Sequence, residues 1–250
     1  MRNPDERRQT LIAALLFILT SIALPTAASP YDGLSDHPCQ SADDSAANRR
    51  ETDWPWICRY REDNRHAQER RIDTVYMGDS ITEFWQRESP QRFNEHVIYR
   101  GISGQTSPQM VLRFQQDVIA LKPRVVAILA GTNDVAANSG PEAFEDVIAN
   151  LDTMVVVARA HGVIPVLGTV PPAATFWWRK DFDPRADITR LNGLIRRYAQ
   201  DHGVALVDYH AALRNDNDGL GPEYADDGVH PNAAGYRVME HALDQVLKML

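Results

Sequence analysis

The sequence predicts an α/β protein in which a five-stranded parallel sheet lies between two layers of helices. Short apolar runs recur along the chain, and segments with apolar residues at three- and four-residue steps separate them. Strands and helices that alternate in this way form parallel βαβ units, which fold as a three-layer α/β/α sandwich. The length of 250 residues, with 44% apolar and 24% charged content, is ordinary for one soluble globular domain.

The predicted elements follow one another from Ile72 to the end of the chain. Strands are predicted at residues 72–77, 97–99, 125–129, 164–167 and 205–207. Helices are predicted at residues 108–121, 141–161 and 187–202, with a last helix that starts at Pro231.

Residues 1–28 have the composition of a secretory signal. Three arginines precede an apolar run at residues 11–24, and small residues then lead to an expected cleavage site after Ala28. The run is short for a membrane span. We therefore expect a periplasmic or secreted protein that keeps no membrane span after cleavage, with an uncleaved N-terminal anchor as the alternative.

The two cysteines, Cys39 and Cys58, both follow the expected cleavage site. In an oxidising compartment their even number predicts one disulfide across a loop of about twenty residues. Two separate buried thiols are the alternative. Residues 29–71 are then an N-terminal arm with a lead-in helix, tied down by the disulfide and anchored by the Trp-Pro-Trp segment at 54–56. Residues 72–250 form the main domain.

Charge and ligand patterns argue against several partners. The formal net charge is −8 and the arginine pairs are scattered, so we expect no nucleic-acid partner. Residues 216–219 resemble part of a calcium loop. However, Arg214 stands at the position of the first ligand and Ala225 at that of the closing glutamate. We expect no metal and no cofactor.

Ser80 lies where the first predicted strand gives way to a helix. The strand stops at Gly78, where an unusual φ is inexpensive, and the free N–H groups of the next helix surround the serine. The carboxyl ends of strands are also where open α/β sheets bind ligands. The alternative is helix capping by Asp79 or Ser80, with Glu83 completing a capping box.

Further polar segments follow the second and third strands and precede the last helix. A serine nucleophile needs a base within hydrogen-bond reach, and the base needs an acceptor on its other ring nitrogen. His230 fits the base and Asp227 the acceptor. The N–H groups of Ser80 and Gly104 and the side-chain amide of Asn133 fit as donors to an oxyanion.

These segments together resemble the four conserved blocks of the SGNH or GDSL hydrolases, in the same order along the chain. The resemblance implies a flavodoxin-like fold, Ser80 as nucleophile, Gly104 and Asn133 as oxyanion donors, His230 as base and Asp227 as its partner. Ile81 replaces the leucine of the family's name-giving motif. The four segments that carry the resemblance are residues 78–81, the segment around Gly104, residues 131–134 and residues 227–231.

The long connection between Val170 and Asp187 follows the fourth strand and is therefore expected at the same rim as Ser80. Trp177 and Trp178 in it are candidates for stacking on a sugar ring or lining an acyl slot, and packing of the rim or of the N-terminal arm is the alternative. We expect a serine esterase that cleaves short-chain, acetyl-type esters of small molecules or glycans. The alternatives are a lysophospholipase or thioesterase, an exported O-acyltransferase, and a non-catalytic carbohydrate-binding module on a hydrolase scaffold.

Overall fold

The computed structural model describes Cys39 and residues 53–250. The chain divides into two units, Met1–Ala42 and Asp43–Leu250, and every element below belongs to the second. The predicted signal and, except for Cys39, the predicted arm up to residue 52 lie outside the described residues. No helix in the described part of the chain is both long and apolar enough to cross a bilayer.

Five strands form one sheet in the described residues, and all neighbouring strands are parallel. They are β1 (Thr74–Gly78), β2 (Val97–Gly101), β3 (Val125–Leu129), β4 (Ile164–Gly168) and β5 (Ala205–Val207). Their order across the sheet is β2-β1-β3-β4-β5. The predicted α/β class and five-stranded parallel sheet are confirmed.

Strand β1 is an inner strand of the sheet and pairs with β2 on one side and with β3, the central strand, on the other. Thr74 at the start of β1 is opposite Val97 and Val125, so the three strands begin and end in register. The direction in which the chain adds strands reverses at this point. In open α/β folds the carboxyl ends of strands at such a reversal form a crevice that binds ligands.

Helices cover both faces of the sheet. They are α1 (Arg61–Gln68), α2 (Ser80–Glu88), α3 (Ser107–Asp117), α4 (Thr132–Val135), α5 (Phe144–Ala160), α6 (Arg185–His202), α7 (Tyr209–Leu213) and α8 (Ala233–Leu247). The apolar residues of α3, α5 and α6 join one core cluster, and those of α2 and α8 join a second cluster on the opposite face.

The strand side chains alternate between the two clusters. In β1, Val75 and Met77 face the first cluster and Tyr76 faces the second; in β3, Val126 and Val125 divide in the same way. Both faces of these strands are therefore buried, which explains why they read as continuous apolar runs. Burying each such side chain contributes about 1.5–3 kcal/mol to the free energy of unfolding.

Gly78 ends β1 for a reason other than the predicted one. Its φ is not positive. Instead, a Cβ at this position would lie 2.1 Å from the Thr82 hydroxyl oxygen and 2.8 Å from the Leu129 carbonyl oxygen. The glycine lets α2 begin directly against the end of the strand, which places Ser80 at the carboxyl end of β1.

The last helix also begins later than predicted. The Asn232 side chain accepts hydrogen bonds from the N–H groups of Ala234 and Gly235 and is the N-cap of α8. Pro231 therefore precedes the cap and is not in the first helical turn. Capping fixes the exit of the loop that carries His230.

Both cysteines, Cys39 and Cys58, are disulfide-bonded, and the chain contains two cysteines in total. The predicted disulfide is confirmed.

Candidate active site

Ser80 is the first residue of α2 and is buried at the end of β1. Asp79 is the N-cap of this helix, because its Oδ1 accepts a hydrogen bond from the N–H of Ile81 at 2.9 Å. Capping is thus carried by Asp79, which leaves the Ser80 hydroxyl available. Glu83 does not complete a capping box and instead binds Ser103 and Arg59.

Ser80, His230 and Asp227 form a continuous chain of hydrogen bonds. The Ser80 Oγ lies 2.9 Å from Nε2 of His230, and Nδ1 of the same ring lies 2.6 Å from Oδ2 of Asp227. The acceptor on Nδ1 places the ring proton there and leaves Nε2 facing the hydroxyl as an acceptor. The three side chains predicted to lie together are brought together.

Asp227 also shapes the loop that carries the histidine. Its Oδ1 accepts the backbone N–H groups of Val229 and His230, at 2.9 and 2.8 Å. Gly228, between Asp227 and Val229, has a φ of +75°, a conformation that glycine adopts readily. Partial burial raises the pKa of Asp227, but the hydrogen bonds from His230 and Val229 outweigh it and lower the pKa below its ordinary value. The carboxylate is therefore ionised while it orients the ring.

Phe84 packs against the ring of His230, with ring centroids 4.9 Å apart. It lies one helical turn after Ser80, on the same face of α2. Phe84 is not among the residues predicted from sequence, although its four-residue spacing from Ser80 is a signal for it. The ring limits the positions that the imidazole can take beside the hydroxyl.

Gly104 occupies an exposed turn after β2, with a φ of +79°. A Cβ at this position would meet nothing within 4 Å, so the backbone conformation, and not a close approach of the chain to itself, requires glycine here. Within residues 53–250 its N–H bonds to no acceptor. Ser103 beside it is held by Glu83 of α2, whose Oε2 accepts the Ser103 N–H at 2.8 Å.

Asn133 lies in α4, directly after β3, and its side chain is fully engaged. Its Nδ2 donates to the carbonyl oxygen of Gln105 at 3.0 Å and to Oδ2 of Asp79 at 3.2 Å. Its Oδ1 accepts from Asn138 at 2.6 Å. Because two acceptors surround Nδ2, the amide orientation is determined. Asn133 therefore joins the residue before Ser80 to the residue after Gly104.

Asp79 is a completely buried carboxyl group beside the candidate nucleophile. Burial raises the pKa of Asp79 to about 7; the nearby carboxylate of Asp134 adds to this, while the N–H of Ile81 opposes it.

Arg113 of α3 fastens the strand ends beneath the site. Its side chain has no exposed surface. It donates to the carbonyl oxygens of Gly78 and Arg100 and forms an ion pair with Asp117, each at 2.9 Å. It also donates to the Gln105 side chain at 2.6 Å. The sequence showed only an arginine within an amphipathic helix, so this role was missed.

A cavity of about 540 Å³ opens beside Gly104. Trp178 lines it, as do Trp54 and Trp56 from residues 53–60, the lead-in segment before α1. Trp177 does not line it and is 58% exposed. Among the described residues, no group of three or more His, Cys, Asp or Glu side chains is arranged to hold a metal ion.

A serine, a histidine and an aspartate hydrogen-bonded in series at the strand ends of a flavodoxin-like sheet are typical of the serine hydrolases. Residues 76–238 match the model of the GDSL-like lipase/acylhydrolase family. The chain belongs to this family. The predicted resemblance is thereby confirmed.

The chain is also similar to solved structures and to curated proteins. The crystal structure of a GDSL-like lipase from Bacteroides thetaiotaomicron is similar with a TM-score of 0.72 and 38% identity, over 79% of this chain and 100% of that one. An acetylxylan esterase of Geobacillus stearothermophilus is 28% identical over 58% of this chain and 69% of its own length. An uncharacterized lipoprotein of Bacillus subtilis is 35% identical over 34% of this chain, which spans 36% of that protein.

Proposed function

We propose that this chain is an exported serine esterase that removes short acyl groups, principally acetyl, from carbohydrate esters. The observation that carries the proposal is the hydrogen-bonded series from the Ser80 hydroxyl through His230 to Asp227, at 2.9 and 2.6 Å. A neutral imidazole aligned with a serine hydroxyl is what activation of that nucleophile requires.

The proposed reaction has two halves. Ser80 Oγ attacks the ester carbonyl carbon and its proton passes to Nε2 of His230. The bond to the alcohol then breaks, and the alcohol leaves with that proton. A water molecule next attacks the acyl-serine, again giving its proton to His230, and Ser80 recovers a proton as the carboxylic acid leaves. Asp227 stabilises the imidazolium in both halves.

The tetrahedral intermediates need donors to their negative oxygen. The N–H groups of Ser80 and Gly104 are proposed as two of them, because the first residue of a helix has no intrahelical acceptor and the Gly104 N–H has no partner in the described chain. The Asn133 amide is the proposed third donor. It would exchange its 3.2 Å bond to Asp79 for one to the oxyanion.

Separate observations support the proposed substrate and the proposed location. The similarity to an acetylxylan esterase favours an acetyl ester of a carbohydrate, and the cavity beside Gly104 is lined by polar as well as aromatic side chains. The disulfide and the predicted signal at residues 1–28 favour an oxidising compartment outside the cytoplasm. We further propose residues 29–71 as an arm with a lead-in helix and residues 72–250 as the hydrolase domain.

The test compares Ser80→Ala with Ser89→Ala on p-nitrophenyl acetate, butyrate and octanoate. Ser89 lies at the other end of α2 and serves as the matched control. We expect Ser80→Ala to lower kcat by about 10⁴-fold or more with unchanged folding, and the control to retain activity. Retained activity in Ser80→Ala would contradict the mechanism. A preference of the unmodified enzyme for octanoate would contradict the short-chain substrate and favour a lysophospholipase-type activity.

A further inference from the structure

The lead-in segment before α1 forms a wall of the cavity beside Gly104. Trp54 and Trp56 both line this cavity, together with Trp178 from the connection that follows β4. Resting on the proposed esterase function, we infer that this tryptophan-lined cavity binds the sugar rings of the substrate's alcohol part and that Trp54 and Trp56 determine the preference for carbohydrate esters.

The wall is a built feature of the fold. Three glutamines donate from their side-chain amides to carbonyl oxygens of the segment: Gln109 to Trp54, Gln105 to Pro55 and Gln116 to Ile57, at 2.7, 2.7 and 2.6 Å. All three come from α3 or from the loop that connects Gly104 to it. The backbone of the segment is therefore fixed to the same element that carries the candidate oxyanion donor.

The segment's own turn orients its tryptophans. Asp53 accepts the backbone N–H groups of Ile57 and Cys58 at 2.8 and 3.0 Å, and its carbonyl accepts the N–H of Trp56. Trp56 has a φ of +51°, which is rare for a bulky residue. Such conformations persist where surrounding contacts hold them, and they concentrate at ligand sites.

The wall is also linked to the helix of the candidate nucleophile. The Arg59 guanidinium lies 5.2 Å from the ring centroid of Trp56 and bonds to Glu83 of α2 at 3.2 Å. Glu83 in turn holds Ser103, next to Gly104. One connected set of contacts thus sets the position of Trp56 relative to the turn at Gly104.

The third tryptophan of the lining, Trp178, is also held by its neighbours. Trp178 stacks on the buried ring of Phe176, with centroids 4.8 Å apart and planes inclined by 13°. Its indole N–H donates to Oδ1 of Asn138 at 3.1 Å. Asn138 and Ser139 add exposed amide and hydroxyl groups to the lining.

Size and chemistry together favour a sugar over an acyl chain. A cavity of about 540 Å³ is far larger than an acetyl group. A hydrocarbon chain would cover the amide and hydroxyl groups of the lining without offering them hydrogen bonds, which carries a desolvation cost. A pyranose presents apolar C–H faces to tryptophan rings and hydroxyls to the polar groups. The cavity therefore fits the alcohol part of the ester.

The experiment measures KM for three esters: acetylated xylotetraose, ethyl acetate and ethyl octanoate. Trp54→Ala and Trp56→Ala are compared with Trp177→Ala, which removes an exposed tryptophan outside the cavity. We expect Trp54→Ala and Trp56→Ala each to raise KM for acetylated xylotetraose by about tenfold, with ethyl acetate unchanged. The control should change neither value. Because Trp54 is 41% exposed, its removal should leave folding intact.

A binding measurement separates this inference from the esterase proposal. In the Ser80→Ala background, xylotetraose without acetyl groups should alter tryptophan fluorescence on binding, and Trp54→Ala should weaken that binding. If Ser80→Ala keeps activity, the esterase mechanism fails. If the mechanism holds but KM for the oligosaccharide is unchanged in Trp54→Ala and Trp56→Ala, or rises only for ethyl octanoate, the sugar site is wrong. An equal rise for all three esters would indicate general damage and also contradict it.

Discussion

The reactive corner, formed by Ser80, His230 and Asp227, and the tryptophan wall of the neighbouring cavity, formed by Trp54 and Trp56, are built in different ways. At the corner, hydrogen bonds of 2.6–2.9 Å fix the three side chains. Ser80 is buried and His230 is half-buried. At the wall, the backbone is fixed by glutamine side chains while Trp54 is 41% exposed. The corner fixes the atoms that are proposed to react, and the wall fixes only the surface that is proposed to meet the substrate.

This difference separates the expected effects of substitution. Changes at the corner should remove groups that stabilise the transition state more than the bound substrate, so they should lower kcat. Changes at the wall remove contacts that substrate and transition state share, so they should raise KM. The following predictions test this division, beginning with the largest effect.

Asp227→Asn should lower kcat by about 10³-fold or more, with little change in KM. An amide at this position can donate to Nδ1, which would place the ring proton on Nε2 and remove the acceptor for the Ser80 hydroxyl. The neighbouring Asp226→Asn, at an exposed carboxylate, is the matched control and should retain activity. Steady-state kinetics on p-nitrophenyl acetate makes the comparison. An active Asp227→Asn enzyme would mean that His230 does not need this partner.

Asn133→Ala should lower kcat by about 10²-fold, the usual effect of losing one oxyanion donor. It should also lower the free energy of unfolding by about 1–3 kcal/mol, because the buried Asp79 carboxylate loses a hydrogen-bond donor. Kinetics and urea unfolding measure the two effects separately. Loss of stability with unchanged kcat would limit Asn133 to a structural role.

The corner could be predicted from sequence because its parts are local. Asp227 and His230 are three residues apart, and a loop of that length brings both groups together without any long-range information. Strand–helix alternation then placed Ser80, Gly104 and Asn133 at neighbouring strand ends, where β1, β2 and β3 do end in register. The family resemblance supplies the proposed roles, and the structure brings Ser80, His230 and Asp227 within hydrogen-bond distance of one another.

The wall could not be predicted in this way because its contacts are distant in sequence. Trp54 and Gln109 are 55 residues apart, and Pro55 and Gln105 are 50 apart. No periodicity in a turn-rich segment encodes which element it will contact. From sequence, Trp54 and Trp56 are therefore expected only to anchor the arm. Trp177 and Trp178 are candidates for substrate contact, with packing as the alternative, and of these two Trp178 lines the cavity.

Reduction of the disulfide should weaken the fold and leave the corner's chemistry unchanged. A loop of about twenty residues corresponds to a loss of up to about 3 kcal/mol in the free energy of unfolding by the loop-entropy model. Urea unfolding with and without dithiothreitol measures the loss, and thiol titration should find no free thiol before reduction and two after it. A fall in kcat on ethyl acetate comparable to that of Asp227→Asn would contradict the separation of corner and lead-in segment.

The smallest expected effect concerns the carboxyl groups of Asp134 and Glu142. Asp134 accepts the N–H and hydroxyl of Ser107 on Oδ1, while its buried Oδ2 has no hydrogen-bond donor among the described residues when both carboxyls are ionised. Burial and then the charge of Asp134 raise the pKa of Glu142 to about 7, and burial likewise raises the pKa of Asp134. We expect a proton shared between the two carboxyls to supply the missing donor.

Glu142→Gln should therefore make stability less dependent on pH. In the unmodified protein the raised pKa of Glu142 means that the folded state binds more protons than the unfolded state between about pH 4 and 7. The resulting stabilisation is complete below about pH 4 and is lost as the pH rises through about 7. The glutamine amide can donate to Asp134 at any pH, while its carbonyl keeps the 3.0 Å bond from Asn150.

We expect the Glu142→Gln protein to match the unmodified one at about pH 5 and to exceed it at about pH 8 by roughly 1 kcal/mol in urea unfolding, a figure reduced for the partial exposure of Glu142. Glu145→Gln, which alters an exposed ion pair with Arg190, is the control and should follow the unmodified protein. Asp79, whose pKa is also raised, contributes the same sign of pH dependence in all three proteins, so their difference isolates Glu142. Parallel pH profiles would mean that no proton is shared. The kcat on ethyl acetate should be equal in all three proteins, because Glu142 and Glu145 bond to Asn150 and Arg190 and not to the residues of the corner.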